Sequence, residues 1–175
     1  MSSNWDALQR RLDGLKKPTA TVTICDDPAA RQRLALAKAN AEEAKQALAG
    51  LMIANPDAEH RPQYEERDKA AKAELAAAQK AFDRCAVTLT FQALDRKEFD
   101  DLQKAHPATE QEEADGDDFH MATFGPALIA AASTDGMPEE YARHLLDTWT
   151  GPDAQALLTA AFSVQHQQRT DLGKG

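Results

Sequence analysis

Cysteine is scarce in this chain. Two residues, Cys25 and Cys85, are too few for a disulfide framework, and their spacing matches no zinc-ligand pattern. They are expected to be reduced, partly buried thiols, with a disulfide or a redox switch as the alternative. Aromatic residues make up only 6% of the sequence while alanine is abundant, which excludes a large aromatic core and points to helices packed closely on small side chains. No apolar run reaches the roughly 18 residues of a membrane span. The opening stretch MSSNWDALQRR lacks the basic, apolar and small-residue order of a signal peptide, so a cytoplasmic site of synthesis is expected. Basic residues are outnumbered, for a net charge of -9, and their nearest approach to a cluster is Arg10, Arg11, Lys16 and Lys17. Binding to nucleic acid through counterion release is therefore not expected, and protein partners fit better.

Catalytic signatures are missing too. The five histidines, His60, His106, His120, His144 and His166, fall on separate segments with no HxxxH pair, and no GxSxG, phosphate-binding glycine loop or dinucleotide fingerprint occurs. The adjacent carboxylates Asp100-Asp101 and Asp117-Asp118 point apart on a helix or into solvent on a loop. A non-catalytic protein without metal or cofactor is expected.

What is present is strongly patterned. Residues 4 to 15 place Trp5, Leu8, Leu12 and Leu15 on one helical stripe, expected to dock on the protein itself. After Pro18, TATVTIC alternates as a β-strand from Thr19 to Cys25. Asp27 then stands as an N-cap before Pro28 at the first helical position. From Pro28 to about Ile53, Leu34, Ala37, Ala41, Ala44, Leu48 and Leu51 recur at spacings of three and four, a heptad seam. Asn55-Pro56-Asp57 interrupts it. From about Pro62 to Arg84 a second helix carries Asp68, Ala71, Leu75, Ala78, Phe82 and Cys85 on a matching seam. The short connection predicts an antiparallel helical hairpin, which brings Cys25 near Cys85 and pairs the first strand with Val87 to Phe91.

The second strand turns into a short helix at Asp95, where Glu98 completes a capping-box pattern and Phe99 and Leu102 share a face. His106-Pro107 stops it. Glu110 to Asp118, EQEEADGDD, reads as a solvated flexible loop; it lacks the ligand spacing of a calcium loop. The stretch Phe119 to Ala132 is read as the most buried helix of this half, with Thr123 as N-cap and Pro126 in the first turn. Asp135-Gly136 is a turn. Pro138 opens a helix with Tyr141, Leu145, Leu146 and Trp149 on its apolar face, and Gly151-Pro152 opens a last helix with Ala156, Leu157, Ala160, Ala161 and Val164 inward. The tail QHQQRTDLGKG is read as frayed. The predicted fold is mainly α: an Ala-rich antiparallel helical hairpin on a two-stranded β-ribbon (residues 1–92), joined to a small C-terminal helical bundle (residues 93–175).

The order FQALDRKEFDDLQKAHPATEQ, an acidic loop, FHMATFGPALIAAAS, MPEEYARHLLDTW and LLTAAFSVQ resembles the tail assembly chaperones of long-tailed actinobacterial phages and prophages. The resemblance rests on Phe91 ending a strand, Phe99 on the short helix, His106, Pro107 and Thr109 at the stop, and Pro126, Ala127 and Leu128 in the buried helix. WDALQRRL, PTATVTICDDP and the Ala-rich hairpin add to it, whereas Gly125 and the DFHMA entry depart from it. It implies a non-structural factor that binds the phage tape-measure protein and assists tail-tube assembly, with the tail tube protein as a further partner. It also implies a longer frameshifted product, for which Gly173-Lys174 marks a candidate slippery site. The alternative is a structural neck or tail-completion component of the virion. Candidate partner-binding residues are Phe119, Phe124, Trp149 and Phe162 for an apolar groove, and Glu112, Glu113, Asp117 and Asp118 for a basic contact. The alanine seam also leaves self-association open.

Overall fold

The structure, a computed structural model, describes residues 4–55, 57 and 59–168. Pro56 of the expected break, residues 169–175 of the expected frayed tail, and with them Gly173-Lys174, lie outside the described residues. The protein is mainly helical, with eight α-helices among the described residues and one two-stranded antiparallel ribbon. The strands are β1 (Thr19–Cys25) and β2 (Ala86–Gln92). The chain forms two compact units, one from Thr23 to Thr88 and the other from Met1–Val22 together with Leu89–Gly175. The boundary thus falls inside both strands, and the N-terminal helix groups with the C-terminal helices instead of with the hairpin.

In the first of these units, α2 (Pro28–Ala54) starts where expected: the Asp27 carboxylate accepts from Ala29 N at 2.9 Å and Ala30 N at 3.1 Å, satisfying two amides that the helix leaves free. The helix is about 40 Å long at 1.5 Å per residue. Asn55 caps its end, donating to the Leu51 carbonyl. α3 (Arg61–Cys85) returns against it. The seam has the predicted composition, with Leu34, Ala37, Ala41 and Ala44 buried on α2 and Asp68 and Ala78 on α3. Leu75 and Phe82 pack half-buried against Leu34, Ala37 and Ala78. Arg33–Glu74 at 2.8 Å and Arg67–Glu43 at 2.6 Å link the helices at their exposed margins. Exposed ion pairs of this kind contribute at most about 1 kcal/mol each, so the alanine seam dominates.

Asp68 breaks that seam's chemistry. It is 7% exposed. Its Oδ2 accepts from Lys72 Nζ at 2.6 Å, while Oδ1 is buried with no hydrogen-bond partner among the described residues. A buried carboxylate oxygen left unmatched costs more than its neighbour's ion pair returns. Asp68→Leu is therefore expected to raise the unfolding free energy by about 1–2 kcal/mol, read from the urea midpoint. A fall in that midpoint would show that the carboxylate is holding the hairpin together.

In the other unit, α1 (Asn4–Asp13) precedes β1 and has no buried residue. The stripe expected to dock inward is instead exposed, with Trp5 at 60%, Leu8 at 44%, Leu12 at 49% and Leu15 at 58%. Beyond β2, α4 (Arg96–Ala105) begins at Asp95, whose N–H donates to Glu98 Oε2 at 3.0 Å, the returning half of the predicted capping box. Lys17 Nζ lies 3.1 Å from Asp95 Oδ1. His106 ends the helix before Pro107.

Two segments correct the sequence reading. The acidic stretch is not a loop: α5 (Glu110–Asp115) is a short helix, opened by Thr109 and Glu112 in a capping box and closed by Gly116 in the left-handed region at φ 92°. The next helix, α6 (Met121–Ala132), starts two residues before Thr123, with His120 as its N-cap. Thr123 lies inside the first turn, where its Oγ1 donates to the His120 carbonyl at 3.3 Å. Pro126 is accordingly inside the helix and fully packed, beyond the first turn that was expected to hold it.

The helices α7 (Glu139–Thr148) and α8 (Gly151–Ser163), followed by a 3₁₀ turn at Val164–His166, pack on α6. The core they enclose contains Phe91, Phe124, Leu128, Ile129, Leu157 and Val164, all without exposed surface. Ala142 and Ala161 are equally buried where helices meet closely, whereas Tyr141, expected on the inner face of α7, is 54% exposed. The end of β2 is tied to this core. Thr134 N donates to the Thr90 carbonyl at 2.9 Å, Thr90 N donates to Asp135 Oδ2 at 3.1 Å, and Leu94 N donates to Gln165 Oε1 at 2.8 Å.

Candidate partner-binding surface

The predicted aromatic residues come together, but at different depths. Phe124 projects from α6 into the core and has no exposed surface. Its ring lies 4.3 Å from Phe119, 6.1 Å from Phe99 and 6.3 Å from His106, centroid to centroid. It thus forms the floor of the aromatic cluster and presents nothing to a partner. Phe119 and Phe162, 6.1 Å apart, and Trp149, the C-cap residue of α7, are half-buried against the core. Of these four, Phe162 lines a surface groove.

That groove, about 200 Å³, runs between the start of α6 and the face of α8 and is walled by Met121, Leu158 and Phe162 with Gln155, Thr159 and Ser163. Met121 and Leu158 also wall a second cleft of about 380 Å³, which continues past Gly125 and Pro126 to Leu146, Arg143 and Asp147 on α7. The two make one mainly apolar trough across α6, α7 and α8. Gly125 belongs to the trough because a Cβ there would come 3.3 Å from Leu158 Cδ1. Sequence reasoning missed Met121, Leu146 and Leu158 as trough walls. Their signal was present in the apolar residues that fall beside the inward positions of each helix.

Of the predicted acidic contacts, Glu113, Asp117 and Asp118 are exposed, and Glu112 is not free to meet a partner. Thr109 N donates to Glu112 Oε2 at 2.9 Å, and His120 Nδ1 lies 2.8 and 2.9 Å from the two carboxylate oxygens. The Thr109 amide first, and then the His120 ring, hold the Glu112 carboxyl below the usual carboxylate range. This joint clamps α5 onto the residue that caps α6. Because the folded value is depressed, its stabilisation is complete above the unfolded carboxylate range and is lost as pH falls through that range, about pH 4 to 5, and below. Glu112→Gln is expected to flatten the dependence of melting temperature on pH on this acid side; an unchanged slope would remove the joint from the acid response.

Among the described residues, no three His, Cys, Asp or Glu side chains are placed to hold a metal ion, and no helix is long and apolar enough to cross a membrane. Compared with family models, curated proteins and solved structures, the chain matches none.

Proposed function

We propose that the protein is a non-catalytic tail assembly chaperone of a long-tailed phage or prophage, acting in the host cytoplasm by binding the tape-measure protein while the tail tube assembles. The observation that carries this reading is the exposed apolar surface of one unit. α1 is a ten-residue amphipathic helix, too short to be stable in water on its own. It nonetheless shows its whole apolar stripe, and the trough over α6, α7 and α8 opens Met121, Leu146, Leu158 and Phe162 to solvent. Exposed apolar faces rimmed by charge suit a long amphipathic helix, read at i, i+3, i+4 and i+7 spacings. A tape measure is a chain of such helices.

The resemblance in motif order, from Phe91 through the His106-Pro107 stop to Pro126, supports the same reading. The test is co-expression with the tape-measure protein encoded nearby, followed by pull-down and a solubility assay. Recovery of soluble partner with the wild type, and its loss with Leu8→Glu/Leu12→Glu or Leu158→Glu at unchanged melting temperature, is the expected result. An insoluble, unbound tape measure together with the protein's presence in finished particles would move the assignment to a structural tail or neck component.

A further inference from the structure

The two cysteines meet at the base of the hairpin, where the return of α3 along α2 and the pairing of β1 with β2 bring them together. Cys25 is the last residue of β1 and Cys85 the last residue of α3, and both belong to the hairpin unit. Their sulfurs are 2.7 Å apart, inside van der Waals contact, although the residues are 60 positions apart in sequence. Both are free thiols in this structure, Cys25 buried and Cys85 half-buried. Neither sulfur takes part in the trough or in α1. No third ligand-type side chain converges on them among the described residues, so the pair is not a metal centre.

We propose that Cys25 and Cys85 are a reversible oxidation site, closed by a low-molecular-weight disulfide into an intramolecular bridge that clamps the base of the α2–α3 hairpin. Cys85, the more accessible, attacks the small disulfide as its thiolate, forming a mixed disulfide and releasing one small thiol. The Cys25 sulfur then attacks Cys85 Sγ, releasing the second. Two cysteine thiols are oxidised and one small disulfide is reduced to two thiols, each carrying away one of the two protons. Contact between the sulfurs means that the second step needs little backbone movement.

Cys85 is pushed up to about 11, by its hydrogen bond to the Cys25 sulfur first and then by desolvation. Little thiolate is present at neutral pH, and the first step is slow. The site therefore responds to sustained oxidation and does not act as a fast thiol relay. The bridge would close a loop containing the entire hairpin, and its principal effect would be to restrict the unfolded chain.

The experiment uses the full chain, fully reduced and then incubated with oxidised glutathione. The expected product is a monomer whose intact mass has fallen by two hydrogens, with both thiols lost to alkylation and a Cys25–Cys85 cross-linked peptide on digestion. Its melting temperature should rise by about 10 °C and return on addition of dithiothreitol. Cys25→Ser and Cys85→Ser should each abolish the oxidised-minus-reduced difference; taking that difference within each variant cancels any cost of the substitution itself. Persistent glutathione adducts, intermolecular dimers, two thiols that stay reactive, or a bridge that leaves the melting temperature unmoved would each overturn the proposal.

Discussion

Phe124→Ala is expected to destabilise the C-terminal helical unit by about 3–5 kcal/mol, a fall in melting temperature of 10 °C or more. The side chain has no exposed surface, and its removal empties the centre of an aromatic group formed by Phe99, Phe119 and His106. These neighbours arrive from α4, from the His106 stop and from the entry to α6, and the last two are held to each other by the hydrogen bond from His120 N to the His106 carbonyl at 2.9 Å. They cannot all collapse into the space, so the cost should lie toward the cavity-retaining end of the range. Phe124→Leu, which keeps most of the volume, should cost markedly less. Differential scanning calorimetry and urea unfolding would read both. The result also separates core from docking surface within one cluster. Phe162, which lines the trough, should lose partner binding on replacement at a smaller cost in stability. An alanine at position 124 that melted like wild type would show that the cluster has a second way to pack, and the trough described above would need to be redrawn.

Much of this architecture was legible because it is written in repeats and caps. Alternation over Thr19–Cys25 gave β1 to the residue, and the three-and-four spacing of Leu34 through Leu51 gave the seam. Asp27-Pro28 and Asp95 with Glu98 gave two helix starts, since a carboxylate next to free amides has few better places to be. The failures have equally local causes. EQEEADGDD reads as a solvated loop because of its charge, yet charge and helicity are compatible when acids sit at a positive helix end, and Glu110–Asp115 is helical. The same capping pattern recognised at Asp95 stands at Thr109-x-x-Glu112, with Gly116 following as a C-terminal signal. With Thr123 as N-cap, Pro126 falls within the first turn. The structure accepts the proline one turn later and starts the helix at Met121.

Two features of the surface were not legible at all. The alternation of β2 runs through Thr88 and Leu89 without interruption, so nothing marks the change from one compact unit to the other. The stripe of α1 has the same pattern whether it is covered or bare, because periodicity reports a face and not what lies against it. Its exposure is a tertiary fact, and it changes the functional reading. The candidate contacts move from the buried Phe124 and the internally paired Glu112 toward Trp5, Leu8, Leu12, Met121, Leu158 and Phe162.

The hairpin offers the other large effect. Ala78→Leu is expected to cost about 1–3 kcal/mol, or to force the two helices apart and cost more. Ala78 has no exposed surface and faces Leu34 and Ala37, with Leu75 and Phe82 along the same side. Close approach of the helices depends on the smallness of such residues: a methyl group on one helix fits against a methyl group on the other, and three additional carbons have no cavity to enter. The helix itself would tolerate the change, since leucine and alanine are both good helix formers. Any loss therefore reports packing alone. Ala77→Leu is the matched control, one position away on the same helix and exposed, where the expected change is within about 0.5 kcal/mol. Chemical denaturation of both variants in the reduced state would separate the effect from that of the thiol pair. Equal midpoints for the two would mean that α2 and α3 are held by their flanking ion pairs and not by the alanine seam.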